Sequence, residues 1–472
     1  MPIELELEAP RRGGTTHQGY SVSVRLRNRS LEPLELPNLY DTSAALTFEL
    51  FTAAARRLRQ LNGITQQLML VGARPNMTPT LETLPPGETW TRTIDLAPYH
   101  YLLPPGDLRL RARYEYEPAG LRAFSDLARV LVDNPPLTSV DLRLDACLLE
   151  SALVLLRSES NGHASWFLRQ HSLGAPLAAW YSEPVLHGEP AETVTCSTAT
   201  FSHAGTFDPM FERWLVWTTG ATLHARLHRS GKPVGQPRHA AIPPGWRLLP
   251  WCNHQRDGSL LLFFEAGPAR LECRRLAADG LAPVFGCDLT ARLAAVAADE
   301  DSVHLLLEHR GVVHERLTLT GEHIASDQLF RSRLPLHACE LDPLGGQVKA
   351  LFREAPHGAS LEMFGASLIS GESTHARLDR LLLRHPVTEL AFDRDRNGRF
   401  HLLAATTAGK LYYFGPNLGP VLVARGPGPF FPRILARKRP YLGYYDPACG
   451  YLFRPFVRNA SPKLLSFDAP AD

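Results

Sequence analysis

Between Tyr20 and Arg27 the chain alternates apolar Val22, Val24 and Leu26 with Ser23, Arg25 and Arg27, the period of two expected of a strand buried on one face. Two turns, Pro85-Pro86-Gly87 and Pro104-Pro105-Gly106, each launch a further run of this kind. Trp90, Ile94 and Leu96 follow the first, and Leu108, Leu110, Ala112 and Tyr114 follow the second. Short alternating strands between strong turns predict a β-sandwich. Residues Thr52 to Leu61 hold Ala53-Ala54-Ala55 and Arg56-Arg57-Leu58-Arg59 ahead of Gly63, and fit a short helix as well as a strand with its loop. Asn134-Pro135-Pro136 then makes a stiff linker, because proline favours extended backbone.

Beyond the linker the pattern changes to a repeat of format rather than of residue identity. Very apolar runs recur at Leu153–Arg157, Trp214–Thr218, Leu260–Glu265, Val303–Glu308, Val348–Phe352, Phe400–Ala405 and Tyr441–Tyr445. A glycine closes each within a few residues: Gly162, Gly220, Gly267, Gly311, Gly358, Gly409 and Gly450. A second turn glycine follows about one strand later at Gly174, Gly231, Gly280, Gly321, Gly371 and Gly419. Units of about forty to sixty residues holding several strands each are the sequence signature of a propeller. They divide near 138–190, 191–243, 244–291, 292–334, 335–384, 385–429 and 430–470.

Over about 138–470 the chain therefore resembles the seven-bladed β-propeller superfamily, without the Gly-His and Trp-Asp marks of WD40 repeats or the glycine doublets of kelch repeats. The run from Pro104 to Tyr116, a proline-glycine turn feeding a strand that carries a tyrosine, resembles immunoglobulin-like and fibronectin-like domains. The expected fold is all-β: an immunoglobulin-like β-sandwich over 1–134 followed by a seven-bladed propeller over 137–472. Residues 139–144 are expected either as the outermost strand of the last blade or in the inner strand of the first. Leu464–Phe467 is the candidate outer strand of the last blade.

Composition narrows function by exclusion. A formal charge of +2 gives no long-range field to draw nucleic acid or anionic membrane, and only five of the basic residues are lysines, among them Lys349 and Lys438. Seven cysteines without a C-x-x-C pair argue against a disulfide framework or zinc ribbon. The first ten residues lack the basic and apolar regions of a secretory signal, so a cytoplasmic location with reduced thiols is expected.

Motifs with chemistry are few. Asp393-x-Asp395-x-Asn397-Gly398 matches the first half of a calcium loop, but His401 and Ala404 stand at its ninth and twelfth positions, which favours a plain polar hairpin. Cys196, Cys252 and Cys339, with Cys147, recur on predicted first strands, and Cys252-x-His254 and His337-x-Cys339 have ligand-like spacing. Packing is the favoured role, since cysteine is among the most buried residues. Glu265, Glu308 and Glu354 end second strands at equivalent positions. Basic groups gather at Arg377, Arg380 and Arg384, at Arg433, Arg437, Lys438 and Arg439, and along Arg109, Arg111 and Arg113 with Arg25 and Arg27.

These features predict a non-catalytic interaction or scaffold protein that binds a protein partner, with Arg433, Arg437, Lys438, Arg439, Arg109, Arg111 and Arg113 as the candidate partner-binding residues. No catalytic residue, cofactor or metal is assigned, and neither specific nucleic-acid binding nor membrane insertion is expected. The alternatives are a lyase or hydrolase acting on a carbohydrate or small molecule at the propeller axis, and a carbohydrate-binding module using Trp166 or Trp251.

Overall fold

The alternation read from the sequence is the alternation of burial in three dimensions. In the computed structural model Val22, Val24 and Leu26 are buried along Ser21–Asn28, and Leu108, Leu110, Ala112 and Tyr114 along Gly106–Tyr116. The structure describes residues 2–456 apart from 16–19, 40–44, 62–80, 96–104, 146–150, 173–178, 182–185, 200–211, 355–359, 379–384 and shorter breaks between strands.

In the N-terminal part Ile3–Glu8, Ser21–Asn28 and Thr89–Asp95 form one antiparallel sheet with Ser21–Asn28 at its centre. A second sheet runs in the order Arg12–Thr15, Ala128–Asp133, Gly106–Tyr116, Leu46–Thr52, Arg57–Leu61, and Leu121–Phe124 also pairs with Gly106–Tyr116. Both sheets feed one core that joins Val22, Val24 and Leu26 to Phe48, Leu50, Leu110 and Val130. Each such side chain contributes about 1.5–3 kcal/mol by leaving water. The buried Tyr114 hydroxyl donates to the Pro37 carbonyl at 2.6 Å, tying the central strand to the end of Leu34–Pro37. At Pro85-Pro86-Gly87 the Glu88 N–H donates to the Pro85 carbonyl, and Gly87 has φ +76, as a type II turn demands.

The stretch that fits helix or strand from sequence is a hairpin. Leu46–Thr52 turns through Ala53 and Ala54 into Arg57–Leu61, with Phe48 opposite Leu61 and Glu49 opposite Gln60. Helix propensity differs among ordinary residues by less than about 1 kcal/mol each, so pairing with an already buried strand decides the outcome. Among the described residues the helical structure is a single short turn, Glu117–Ala119, and no helix is long and apolar enough to cross a membrane.

After Pro136 the described strands form successive antiparallel meanders in chain order. Sheet I comprises Leu137–Asp145, Ser151–Ser160, His163–Ser172 and Ala179–Tyr181. Sheet II comprises Val194–Cys196, Glu212–Thr219, Thr222–Arg229 and Lys232–Ala241. Sheet III comprises Arg247–His254, Leu260–Glu265, Arg270–Ala277 and Gly280–Asp288, with Thr198–Ala199 added in parallel beside its first strand. Sheets IV and V run Arg292–Ala298, Ser302–Glu308, Gly311–Thr318, His323–Arg331 and Leu336–Asp342, Gln347–Arg353, Leu361–Ser367, Ser373–Leu378. Sheet VI holds Val387–Arg394, Phe400–Thr406, Lys410–Phe414 and Val421–Arg425, and sheet VII Arg433–Ala436, Pro440–Asp446 and Gly450–Pro455. Each very apolar run of the sequence is the second strand of its sheet. Repeated four-stranded antiparallel meanders are the blade format of a β-propeller.

Packing between sheets is cyclic. Leu155 and Leu168 of sheet I meet Leu215 and Trp217 of sheet II, and Leu261 and Phe263 of sheet III meet Val296 and Leu305 of sheet IV. Equivalent clusters join II to III, IV to V, V to VI and VI to VII. Val140, Val154 and Phe167 of sheet I then pack on Tyr451 and Phe453 of sheet VII. Residues 139–144 belong to the first strand of sheet I, paired with Ser151–Ser160, and not to sheet VII. They are short and amphipathic, and the very apolar Leu153–Leu156 next in the chain offers them the nearer partner. Leu464–Phe467 lies outside the described residues.

Candidate functional surfaces

Near the ends of the first strands of sheets III and VI, polar side chains reach across to neighbouring sheets. Asp393, at the end of the first strand of sheet VI, is buried; one carboxylate oxygen accepts from Lys349 Nζ of sheet V at 2.6 Å and the other from the Ala436 N–H of sheet VII at 2.7 Å. Lys349 also meets Glu340, its cross-strand neighbour, at 2.7 Å. Burial alone would favour a neutral amine, but Asp393 and Glu340 outweigh it and hold the ammonium charged. Asn253 makes the corresponding link from sheet III, its side-chain oxygen accepting from the Ala298 N–H of sheet IV at 3.0 Å.

The opposite ends of the first strands carry further latches. Glu389 accepts from the Phe430 and Phe431 N–H groups at 2.9 and 2.7 Å, and Arg353 donates to the Val387 carbonyl at 2.9 Å. Arg433 donates to the Val140 carbonyl, joining sheet VII to sheet I. The sequence offers Arg433 as a partner-binding residue; in the structure its guanidinium donates to the Val140 and Pro432 carbonyls. Arg437, Lys438 and Arg439 lie outside the described residues, as do Arg380 and Arg384.

The half-match to a calcium loop is a hairpin turn. Asp395 accepts from the Asn397 and Arg399 N–H groups through one oxygen, while its neighbour Asp393 is turned away toward Lys349 and Ala436. Behind the turn Asp395 faces His401 Nε2 at 3.5 Å, and His401 Nδ1 meets the Tyr413 hydroxyl at 2.6 Å. Sheet IV repeats this chain: Asp299 to His304 Nε2 at 2.9 Å, then His304 Nδ1 to His314 Nε2 at 2.9 Å, with the two imidazoles stacked. All its contacts are satisfied when His304 carries its proton on Nε2 and His314 donates from Nε2. Burial is the largest influence on His314 and pushes it down to about 4. Burial likewise lowers His401. Asp299 is held below the usual carboxylate range because hydrogen bonds from His304, Asp301 and Ser302 overcome its burial.

Cys196, Cys252 and Cys339 do sit on first strands, within the clusters that join neighbouring sheets; Cys147 is outside the described residues. Burial pushes the thiols of Cys273 and Cys339 up to about 12, far from thiolate reactivity at neutral pH. Glu265 and Glu308 pair with Arg247 and Arg292 across their strands, so each carboxylate belongs to a repeated Arg–Glu rung. Glu354 is exposed just beyond its strand.

The outward face of the second N-terminal sheet gathers the remaining candidates. Arg109, Arg111 and Arg113 follow one another on one face of the central strand, flanked on that face by Asp107 and Glu115. Arg111 lies over Phe51 and Phe124 at 5.2 and 4.7 Å from the ring centroids and donates to Glu49 at 2.9 Å. Arg113 pairs with Glu115 and, with Arg122, borders the same Phe124 ring. Arg25, on the other sheet, pairs with Glu6 and Glu8. Sequence reasoning missed the Lys349–Asp393 link. Its signal was a lysine within the otherwise apolar Val348–Phe352 run, in a chain nearly without lysine.

No protein-family model matches the chain, and no curated protein matches it. Among solved structures it is similar to BBS1N in complex with ARL6DN, at 12% identity and a TM-score of 0.34 over 66% of this chain and 88% of that one. It is also similar to BamB from Moraxella catarrhalis, at 10% and 0.34 over 68% and 100%, and to Hsv2 from Kluyvelomyces marxianus, at 10% and 0.36 over 65% and 93%. The class rests on the sheets themselves: an all-β chain built of repeated propeller-type blades.

Proposed function

We propose that the chain is a non-catalytic scaffold: an immunoglobulin-like β-sandwich over 1–134 joined to a closed seven-bladed β-propeller over 137–472, offering a rigid face to a protein partner in a larger assembly. We also assign it to the cytoplasm, in keeping with the free cysteines among the described residues, three of them buried. Seven meanders among the described residues and their cyclic packing support the blade count, and two sheets sharing one core support the sandwich.

The observation that carries the reading is the use made of polar groups between sheets. Lys349, Asp393, Glu389, Arg353 and Arg433 each hold a neighbouring sheet. Such groups stiffen a platform and are not free for substrate. Native purification of the tagged full chain followed by mass spectrometry tests the proposal. A partner recovered in stoichiometric amount supports it; recovery of the chain alone, with turnover of a glycoside or small-molecule library, would overturn it. The blade count has its own test, since removal of residues 457–472 should lower the melting temperature cooperatively if they complete sheet VII. An unchanged melting curve would leave that sheet three-stranded.

A further inference from the structure

We infer that the outward face of the second N-terminal sheet, centred on Arg109, Arg113, Arg129 and Phe124, docks an acidic segment of a protein partner. The inference deepens the reading of the chain as a binding protein and rests on it. Among the described residues five guanidiniums stand here, those of Arg109, Arg111, Arg113, Arg122 and Arg129, against three carboxylates, those of Glu49, Asp107 and Glu115. Glu49 serves Arg111 and is buried beneath it. The other two are shared: Asp107 between Arg109 and Arg129, Glu115 between Arg113 and Arg122. Donor capacity therefore exceeds acceptor capacity, because each guanidinium has five N–H groups in a rigid fork.

The register sharpens the argument. Arg109 and Arg129 are direct cross-strand partners, two like charges that share the single carboxylate of Asp107. Arg113 Nε is buried with no acceptor among the described residues. At the centre of this positive surface the large apolar side chain of Phe124 is 36% exposed, so an aromatic or aliphatic residue beside the carboxylates of the ligand would gain burial as well. Carboxylates are the fitting anions because Arg forks pair with them bidentately and the rings reward an apolar neighbour.

The test is fluorescence anisotropy of the full chain with a labelled peptide alternating Glu and Phe. Saturable binding is expected, weakening as salt rises, and falling at least about tenfold in the doubly substituted Arg109→Ser, Arg129→Ser protein. A peptide with Lys in place of Glu should not bind. Melting curves establish that the variant folds; Arg122→Ser, on a side chain 54% exposed, provides a milder change with the same expected direction. Unchanged affinity in both variants overturns the inference, and so does tighter binding of a single-stranded oligonucleotide of equal charge. A stoichiometric partner retained by both variants would also overturn it while leaving the scaffold reading intact.

Discussion

Replacing His314 by Gln should flatten the acid limb of the stability curve. His314 is 6% exposed and its conjugate acid is disfavoured first by burial, then by His304 and Arg316, with only Asp327 opposing. A histidine whose folded pKa is depressed binds its proton more readily when unfolded, so its contribution is present above pH 6.5 and lost as pH falls toward about 4. At about pH 5 the unfolded chain gains about 2 kcal/mol over the folded one, and the full difference near the folded pKa and below approaches about 3 kcal/mol. Urea denaturation of wild type and His314→Gln at about pH 8 and about pH 5 isolates this group, since the other titrations are common to both proteins. Wild type should lose about 2 kcal/mol more than the variant over that interval. Parallel losses would refute the reasoning and mean that solvent reaches the stacked pair. Gln is chosen because its amide can still donate to His304 Nδ1.

Asp393→Ala leaves Lys349 with only half-exposed Glu340 and the Ala436 N–H without its acceptor; a loss of about 3 kcal/mol or more in denaturant midpoint analysis is expected, and Lys349→Met should also destabilise, because it leaves the buried Asp393 carboxylate without its counter-ion. Gly311→Ala should destabilise by several kcal/mol on thermal melting, because φ is +134 and an added Cβ would overlap the Phe330 carbonyl oxygen. Millimolar calcium should leave the melting temperature unchanged, as Asp393 is already committed to Lys349 and Ala436; a rise abolished by Asp395→Ala would show the hairpin to be a metal loop.

The sheets were legible wherever one strand of a repeat was buried on both faces. Leu260–Glu265 and Val303–Glu308 announce themselves as apolar runs because neighbouring sheets cover both their sides. Arg57–Leu61 was not legible, since its identity depends on pairing with Leu46–Thr52 and local propensity points elsewhere. The polar links were hidden for a different reason. Asp393, Glu389 and Arg433 look like surface residues in a linear reading, and only the juxtaposition of consecutive sheets gives them buried partners. The face of Arg109, Arg111 and Arg113 was legible because it follows from strand alternation alone, whereas the Phe124 ring in its midst required knowing that Leu121–Phe124 returns beside that strand.

The junction between the two parts of the chain lies where the cycle of sheets closes. Asn134 donates to the Pro447 carbonyl of sheet VII, and the strand that follows opens sheet I, whose Val140 carbonyl receives Arg433. Tension applied to the N-terminal part would thus arrive at the one boundary between sheets that no covalent connection crosses. A pull there acts across side chains packed between sheets I and VII, while every other boundary is backed by continuous backbone. Under load sheets I and VII should part first, at Val140, Phe167, Tyr451 and Phe453, and a partner gripping both of them would act as a clasp.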